Sequence, residues 1–378
     1  MCLLACIIPT RRALAVEPQH LVAVVGSGRE QVGPHIQELA PDAVLAVQET
    51  QDGTGHAVRV GLAALKDRCG TTQGTVVVMA GDTPLMQGAT LAGLVEDHAA
   101  SRRAITVLTG EVADPFGYGR VIRGADGSVT AIVEQKDADE QQAAVREINS
   151  GVFAFDGEFL AGALTRITND NAKGEYYLTD VVGIAHAEGL SVGAHRIDDV
   201  MQTEGANDRA QLAALGRELN RRILDRWMRD GVTVMDPETT WVDADVVLEP
   251  DVTVLPGVQL LGATVVAEDA VVGPDCTLKD TEVGRGAKVV RTHAELAVIG
   301  EGASFVDSPA LDSAAPGIAH QQERTALSGA IDVGAGTDEE TVFFHVRREA
   351  GHANDTYGSD ARFIGLMVFG TFDKANDG

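Results

Sequence analysis

A six-residue repeat runs through LEPDVTVLPGVQLLGATVVAEDAVVGPDCTL (248–278). One row with this spacing is aliphatic throughout, and a second row is small or apolar apart from one threonine. The first row is Leu248, Val254, Leu260, Val266, Val272 and Leu278, and the second is Val252, Val258, Thr264, Ala270 and Cys276. A hexapeptide repeat turns the chain by one side of a prism at a time, so that the aliphatic row stacks into an interior column. The stretch therefore predicts a β-helix, the alternative being a loop-rich β region with accidental spacing.

The repeat fades on its carboxyl side. Its register slips after position 278, resumes at Val283 and Val289, and is lost beyond Phe305. This pattern predicts about two to three coils. Neither a hexad row nor a long amphipathic helix can be traced in the remaining tail, 306–378, which stays unassigned.

An amphipathic helix is predicted before the repeat, in QLAALGRELNRRILDRWMRDG (211–231). Its apolar residues return every three or four positions, as one face of a helix requires, and Gly231 is a natural helix stop. The apolar residues are Leu212, Leu215, Leu219, Ile223 and Trp227. We interpret this segment as a connecting helix.

Between positions 20 and 200, short β-branched runs alternate with helical patterns. The runs predicted as strands are 21–27, 44–48, 75–82, 104–112, 129–136 and 151–157, and 56–67 has helical periodicity. Consecutive Val and Ile residues are typical of strands buried on both faces. The region is predicted to be a doubly wound, Rossmann-like α/β domain, in which ligands bind at the carboxyl ends of the strands.

Two segments at the ends of predicted strands could bind a nucleotide. In Ala80-Gly81-Asp82, the glycine permits close approach to the backbone and the carboxylate suits a hard cation such as Mg²⁺, although Thr83 could simply cap a helix that begins at Pro84. In 48–56, backbone N–H groups at a helix start could hold an anion and the Gln48 amide could pair with a base edge, although an ordinary Gly-rich turn would look similar.

Two neighbouring features receive no functional assignment. His56 is expected to lie at the helix start without a catalytic role. Gly26-Ser27-Gly28 is rejected as a dinucleotide fingerprint, because position 31 is Gln where a third glycine is required.

Four later segments contain carboxylates and amides that suit the hydroxyl and acetamido groups of a sugar. They are PFGYGR (115–120), IVEQK (132–136), EINSG (147–151) and EYYLTD (175–180). Isolated Glu and Asn side chains usually face solvent, so each segment alone is a weak indication.

The composition excludes several classes of partner. The 378 residues carry a net charge of −26, which repels polyanions, so neither nucleic acid nor an anionic membrane is expected to bind. The four cysteines form no C-x-x-C pair, and the histidines show no zinc-site spacing. The apolar opening MCLLACII (1–8) is too short for a membrane span and poorly arranged for a signal peptide, so a cytoplasmic location is predicted.

Taken in order, these segments resemble the bacterial bifunctional N-acetylglucosamine-1-phosphate uridyltransferase and glucosamine-1-phosphate acetyltransferase family. The likeness extends from about residue 20 to residue 303. It is carried by QDGTGHA (51–57), AGDTPL (80–85), DPFGYGR (114–120), AIVEQKDA (131–138), EINSGVFAFD (147–156), GEYYLTD (174–180), EGANDRAQL (204–212) and GVTVMDPETTWVD (231–243).

The resemblance implies a role for each matching position. Contacts to the uridine nucleotide are implied for Gln48, Gly53, Thr54, Ala80 and Gly81, contacts to the sugar for Gly119, Glu134 and Asn149, and Mg²⁺ binding and catalysis for Asp82 and Asn207. The implied reaction joins UTP and N-acetylglucosamine 1-phosphate into UDP-N-acetylglucosamine and releases pyrophosphate. A homotrimer formed through the β-helix is also implied, although two to three coils make it doubtful.

The sequence departs from the family at both ends. Family members begin with a Gly-rich loop that bears an Arg, followed by a Lys, and these grip the triphosphate. Here residues 1–20 contain no glycine, and the first lysine is Lys66. Uridyltransfer by this chain is therefore expected to be very weak or absent. The acetyltransferase motifs are missing after 305, and none is matched by His293, His320, His345 or His352.

The expected organisation is a transferase domain (1–208), a connecting helix and linker (209–245), a partial left-handed hexapeptide β-helix (246–305) and the tail (306–378). Two other functions stay open. The chain could be a non-catalytic nucleotide-sugar binding or assembly protein, or a nucleotidyltransferase for another sugar phosphate.

Overall fold

A computed structural model describes residues 10–26, 28–206 and 208–305, together with the backbone of 367–372. The opening segment MCLLACII and most of the 306–378 tail lie outside these residues. The chain forms two compact units that divide between Leu215 and Gly216, and the strand at 367–372 belongs to the first unit. Within the described ranges, every helix is too short or too polar to span a bilayer.

The first unit is an α/β domain. Its strands are β1 (Leu21–Val25), β2 (Val44–Val47), β3 (Thr75–Met79), β4 (Ile105–Glu111), β5 (Arg120–Arg123), β6 (Val129–Val133), β7 (Glu147–Asp156), β8 (Val192–Ile197) and, near the carboxyl terminus, β22 (Met367–Phe372). Its helices are α1 (Arg29–Leu39), α2 (Thr54–Cys69), α3 (Gly88–Ser101), α4 (Glu140–Ala143), α5 (Gly157–Ala163), α6 (Asp180–Ala187) and a 3₁₀ turn at Val200–Thr203. Helix α7 (Arg209–Arg229) confirms that the stretch predicted at 211–231 is helical, and its role as a connection between domains stays a prediction.

The sheet of the first unit is mixed, with the strand order β2-β1-β22-β3-β7-β4-β8 and the β5–β6 hairpin attached to β7. Strand β7 runs antiparallel to both β3 and β4. The physical reason is the kind of connection: parallel neighbours are usually joined by a crossover helix, whereas the segment between β4 and β7 contains only the β5–β6 hairpin and the four-residue α4. β22 lies antiparallel between β1 and β3, which separates these two mutually parallel strands.

The predicted burial on both faces is confirmed for strands β1, β3 and β4, whereas β2 and β6 are only partly buried. Alternate residues of β1 face two different hydrophobic clusters: Val22 and Val24 pack in one with helix α2, and Ala23 and Val25 pack in the other with α1 and α3. Strand β8 was missed because VGAHRI contains only two β-branched residues and lies at the end of the strand order. Both faces of the sheet are therefore covered by helices, so a ligand can reach the sheet only at the ends of its strands.

The second unit contains the predicted β-helix. Its strands are β9 (Thr233–Val234), β10 (Trp241–Val242), β11 (Val247–Leu248), β12 (Thr253–Val254), β13 (Gln259–Leu261), β14 (Val265–Val266), β15 (Val271–Val272), β16 (Thr277–Lys279), β17 (Glu282–Val283), β18 (Lys288–Val289), β19 (His293–Glu295), β20 (Val298–Ile299) and β21 (Ser304–Phe305). They form three parallel ladders, β10-β13-β16-β19, β11-β14-β17-β20 and β9-β12-β15-β18-β21. Every residue of both hexad rows is at most 3% exposed.

The β-helix is longer than the predicted two to three coils, because four strands stack in each of two ladders and five in the third. The early coils repeat at eighteen residues, as in the pairing of Gln259 with Thr277. The next coil is shorter, since Thr277 pairs with His293 sixteen positions later. Shortened corners break the six-residue register in the sequence without breaking the stack, which explains why the later coils were not recognised.

Asn220 of α7 joins this helix to the β-helix backbone of its own unit. The buried amide donates to the Thr240 carbonyl at 2.8 Å and accepts from the Val242 N–H at 2.9 Å. An Asn220→Ala change leaves both backbone groups unpaired and is expected to lower the free energy of unfolding of this unit by about 2–4 kcal/mol. Denaturant unfolding followed by tryptophan fluorescence measures it, because Trp227 and Trp241 are the only tryptophans in the chain. The exposed Arg217→Ala on the same helix serves as the control, and an equal loss there would contradict the argument.

Candidate functional site

Asp82 lies just beyond the carboxyl end of β3, at the edge of the sheet where the sequence predicted a cation site. The loop at 204–206 packs directly against it. The N–H of Ala206 donates to the Asp82 backbone carbonyl at 3.2 Å, and a Cβ placed on Gly205 would lie 3.0 Å from Asp82 Oδ2. Asn207 itself lies outside the described residues, so a cation shared by Asp82 and Asn207 stays a prediction.

The Asp82 carboxylate is suited to a cation. Burial raises the pKa of Asp82, and a backbone hydrogen bond only partly opposes the effect. A partly desolvated carboxylate gains from a positive charge, and Mg²⁺ is commonly held by one or two protein oxygens, water and substrate phosphates. Across the described residues, no group of three or more His, Cys, Asp and Glu side chains could form a metal site from protein ligands alone. This sparse donor set fits a magnesium ion that depends on substrate oxygens for the rest of its coordination.

Gln48 follows β2 and is buried, with only 4% of its surface exposed. Its backbone N–H donates to the Val25 carbonyl at 2.9 Å, which extends the pairing of β2 with β1. Its side-chain Nε2 donates to the Gly53 carbonyl at 3.2 Å and lies 3.1 Å from His56 Nδ1. The amide predicted to recognise a base is therefore held in place by the next turn of the chain.

The turn at 52–55 packs against the segment 174–178. Gly55 N–H donates to the Tyr176 carbonyl at 2.7 Å, and Tyr176 N–H donates to the Asp52 carbonyl at 2.8 Å. The Thr54 hydroxyl accepts from the Leu178 N–H at 3.0 Å. The predicted nucleotide contacts of Gly53 and Thr54 remain untested, and the structure assigns Thr54 a local bond that joins the two segments.

Gly119, Glu134 and Asn149, the predicted sugar contacts, are brought together. A Cβ placed on Gly119 would lie 3.4 Å from Glu134 Oε1 and 3.5 Å from Asn149 Cβ. The Asn149 N–H donates to the Gly119 carbonyl at 2.9 Å. Burial raises the pKa of Glu134, against opposing effects of the Thr179 hydrogen bond and the Lys173 charge. The Glu134 carboxyl group and the Asn149 amide residue thus both lie next to Gly119, which has no side chain. Such an arrangement suits recognition of a hydroxylated ligand.

Thr179 and Tyr177 join this cluster, although the sequence arguments quoted their segment without assigning either residue. The Thr179 hydroxyl donates to Glu134 Oε1 at 3.2 Å. The Tyr177 hydroxyl is buried and has no hydrogen-bond partner within the described part of the chain. Burial and three neighbouring carboxylates raise the pKa of Tyr177 to about 12, so the hydroxyl keeps its proton and can donate. The signal was present in EYYLTD, but spacing alone could not show which side chains turn inward.

A hydrogen bond of 2.7 Å from the Tyr118 hydroxyl to Glu204 Oε1 connects the loop before β5 to the loop beside Asp82. Burial and this bond raise the pKa of Tyr118. Gln135, which follows β6, binds the loop before β5: its Oε1 accepts from Gly117 N–H at 3.0 Å and from the Arg120 guanidinium at 2.7 Å. The predicted sugar and metal positions therefore share one hydrogen-bonded framework.

Comparison with known proteins identifies a matching family and several similar proteins. Residues 8–243 match the nucleotidyl transferase family. The chain is 53% identical over 297 residues to the bifunctional protein GlmU of Cutibacterium acnes, an alignment that covers 77% of this chain and 70% of that protein. It is 54% identical to the GlmU protein of Streptomyces coelicolor, covering 76% and 60%, and 52% identical to that of Rhodococcus opacus, covering 77% and 59%. The chain thus spans between about three fifths and seven tenths of the length of these relatives.

Proposed function

Since the chain belongs to the nucleotidyl transferase family, as a relative of the bifunctional GlmU proteins, we propose that its first unit is a uridyltransferase. It would form UDP-N-acetylglucosamine and pyrophosphate from UTP and N-acetylglucosamine 1-phosphate, with Mg²⁺. The observation that carries the proposal is the convergence of Gly119, Glu134 and Asn149 on the same hydrogen-bonded framework as the loop beside Asp82.

In the proposed reaction, a phosphate oxygen of the sugar phosphate attacks the α-phosphorus of UTP. The new P–O bond forms as the bond to pyrophosphate breaks. Asp82 and Asn207 would hold Mg²⁺, which when bound supplies positive charge that offsets the repulsion between the two phosphate groups. Gln48 would orient the base, and the Glu134 carboxyl group and the Asn149 amide would orient the sugar. Their task is positioning, because phosphoryl transfer of this kind depends on alignment and charge rather than on a covalent enzyme intermediate.

Equilibrium binding tests the proposal independently of turnover rate. Calorimetric titration with UDP-N-acetylglucosamine is expected to show binding in Mg²⁺ that weakens at least tenfold in EDTA. Pyrophosphate release from UTP and N-acetylglucosamine 1-phosphate then measures catalysis, which is expected to be very weak because residues 1–20 contain no glycine and the first lysine is Lys66. Absence of binding in the presence of Mg²⁺ would contradict the proposal. Tight binding without pyrophosphate release would instead support the non-catalytic binding protein, and preference for another sugar nucleotide would support the third function.

Several finer points remain proposals of the same kind. We propose a cytoplasmic location and a homotrimer formed through the β-helix, as the resemblance to these proteins implies. We also propose domain borders at 208, 245 and 305. Sedimentation velocity of the purified chain measures the oligomeric state directly. A monomer at micromolar concentration would contradict the trimer.

The bond between Tyr118 and Glu204 yields a prediction for the proposed ligand. Tyr118→Phe removes a hydrogen bond to a charged group, and we expect the Kd for UDP-N-acetylglucosamine in Mg²⁺ to rise about tenfold because the two loops lose their connection. Glu204→Ala should weaken binding equally, whereas Glu204→Gln keeps an acceptor oxygen and should recover most of the affinity. Combining Tyr118→Phe with Glu204→Ala should add little to either change alone, and full additivity would show that the bond does not join the loops.

A further inference from the structure

We propose that His56 is a positioning residue that fixes the orientation of the Gln48 amide and thereby makes the proposed nucleotide site select uracil over cytosine. The inference deepens the proposed uridyltransferase function and rests on it for the identity of the ligand. On sequence grounds His56 had no role beyond starting a helix. Its ring is largely enclosed, with 18% of the side chain exposed.

The hydrogen-bond partners of Gln48 determine which end of the amide faces His56. One terminal atom of the amide lies 3.2 Å from the Gly53 carbonyl and 3.1 Å from His56 Nδ1. A carbonyl oxygen can only accept a hydrogen bond, so the atom between these two partners must be the NH₂ group. The flipped amide would place two oxygens against each other at the Gly53 contact.

The same argument assigns the tautomer of the histidine. If the Gln48 NH₂ donates to Nδ1, then Nδ1 is unprotonated and the ring proton is on Nε2. Two other oxygens face Nδ1, the Thr50 carbonyl at 3.2 Å and Asp52 Oδ2 at 3.9 Å. A proton on Nδ1 could be donated to the Thr50 carbonyl, but Nδ1 could then no longer accept from the Gln48 NH₂ group, and two donors would face each other at 3.1 Å.

With both amide hydrogens engaged, Gln48 has only its Oε1 left to offer. Among the residues described, no hydrogen bond to this oxygen is formed. Gln48 Oε1 is not among the buried unpartnered atoms of the described residues, so this oxygen is open at the surface and is available to a ligand that brings a donor. Uracil offers N3–H, whereas cytosine has an unprotonated nitrogen at the same position and would oppose one lone pair with another. His56 therefore sets base selection through Gln48, without needing to touch the base.

A measurement on the ligand-free chain tests the tautomer of His56, and its result does not depend on the proposed function. Long-range ¹H–¹⁵N correlation spectra distinguish protonated from unprotonated ring nitrogens. The His56 signals among the ten histidines of the chain are identified by their loss in His56→Asn. We expect a neutral ring with its proton on Nε2. A proton on Nδ1 would overturn the inference whatever the ligand proves to be.

Two variants that differ by one methylene test selection of the base. The amide of His56→Asn falls near the position of Nδ1 and can still accept from Gln48, whereas the amide of His56→Gln falls near Nε2 and leaves the Gln48 NH₂ without its acceptor. Titrations with UDP and CDP in Mg²⁺ are expected to give a wild-type preference for UDP of at least thirtyfold. His56→Asn should keep this ratio within about threefold, and both His56→Gln and His56→Ala should lower it about tenfold.

The outcomes separate this inference from the function on which it rests. An unchanged ratio of UDP to CDP affinity in His56→Ala would overturn the role of His56 while leaving the uridyltransferase proposal intact. If the wild-type chain binds neither nucleotide, the proposed function fails, and the base selection inferred here fails with it. The NMR result then shows whether the amide orientation itself was correctly assigned.

Discussion

Asp82→Asn is expected to stabilise the chain in EDTA and to abolish its stabilisation by Mg²⁺. Burial raises the pKa of Asp82 in the folded protein. The stabilising contribution of such a carboxyl group is complete below the ordinary pKa of an aspartate and is lost as the pH rises through the raised value. At neutral pH the charged side chain therefore opposes folding, and the uncharged amide of the same size should increase the free energy of unfolding by about 1 kcal/mol.

Added metal should reverse the ranking. At a Mg²⁺ concentration 100 times the Kd, the wild-type chain gains about 2.7 kcal/mol, whereas the variant, which has lost the carboxylate ligand, gains almost nothing. Differential scanning calorimetry in EDTA and in Mg²⁺ measures both effects. A variant that is less stable than wild type in EDTA would contradict the destabilising effect of the buried charge, and one that is equally stabilised by Mg²⁺ would contradict the placement of the metal at Asp82.

Asp97→Asn provides a matched control in the same unit, because the pKa of Asp97 is shifted in the opposite direction to that of Asp82. Burial raises the pKa of Asp97, but hydrogen bonds from Arg103, Ser101 and His195, together with the Arg103 charge, outweigh burial and lower it overall. The charged form of Asp97 therefore stabilises the fold at neutral pH. Its replacement should lower the unfolding temperature in both buffers and leave the response to Mg²⁺ unchanged.

The sequence predicted most accurately those features that repeat or that follow a strand. The rows that begin at Leu248 and Val252 are buried because a column of side chains needs only regular spacing, which a single chain displays. Asp82 is found at the sheet edge because a strand of buried Val residues ends at Met79, three positions before it. Both inferences depend on local patterns with a known geometric consequence.

Contacts between distant segments could not be predicted from local patterns of this kind. Tyr118 and Glu204 are 86 positions apart and meet through the packing of two loops, which no periodicity encodes. The reversed direction of β7 depends on the absence of a crossover helix between β4 and β7 rather than on the composition of the strand. His56 was underrated for a related reason: its position in a helix was predictable, but its contact with Gln48 requires the turn between them to close in one conformation.

Gly53→Ala is expected to have the largest effect on the site. Gly53 has φ 105° and ψ 176°, a combination that essentially only glycine adopts. A Cβ at this position would lie 2.6 Å from the Tyr176 carbonyl oxygen and 2.8 Å from the Tyr176 nitrogen, both backbone atoms that cannot rotate away. The turn at 52–55 and the segment 174–178 would have to separate, which removes their mutual hydrogen bonds and the carbonyl that orients Gln48. We expect the unfolding free energy to fall by about 3 kcal/mol and the affinity for UDP-N-acetylglucosamine to fall by about 100-fold or more.

Gly70→Ala separates the effect of backbone strain from the effect of this collision. Gly70 ends α2 with φ 77°, and a Cβ placed on it would meet no atom of the described residues within 4 Å beyond its own chain neighbours. The variant should lose about 1 kcal/mol of stability, the ordinary cost of alanine in a left-handed conformation, and bind the nucleotide sugar as the wild type does. Calorimetric unfolding and ligand titration on both variants give the comparison. If Gly53→Ala loses no more affinity than Gly70→Ala, then contact between the two segments does not build the proposed nucleotide site.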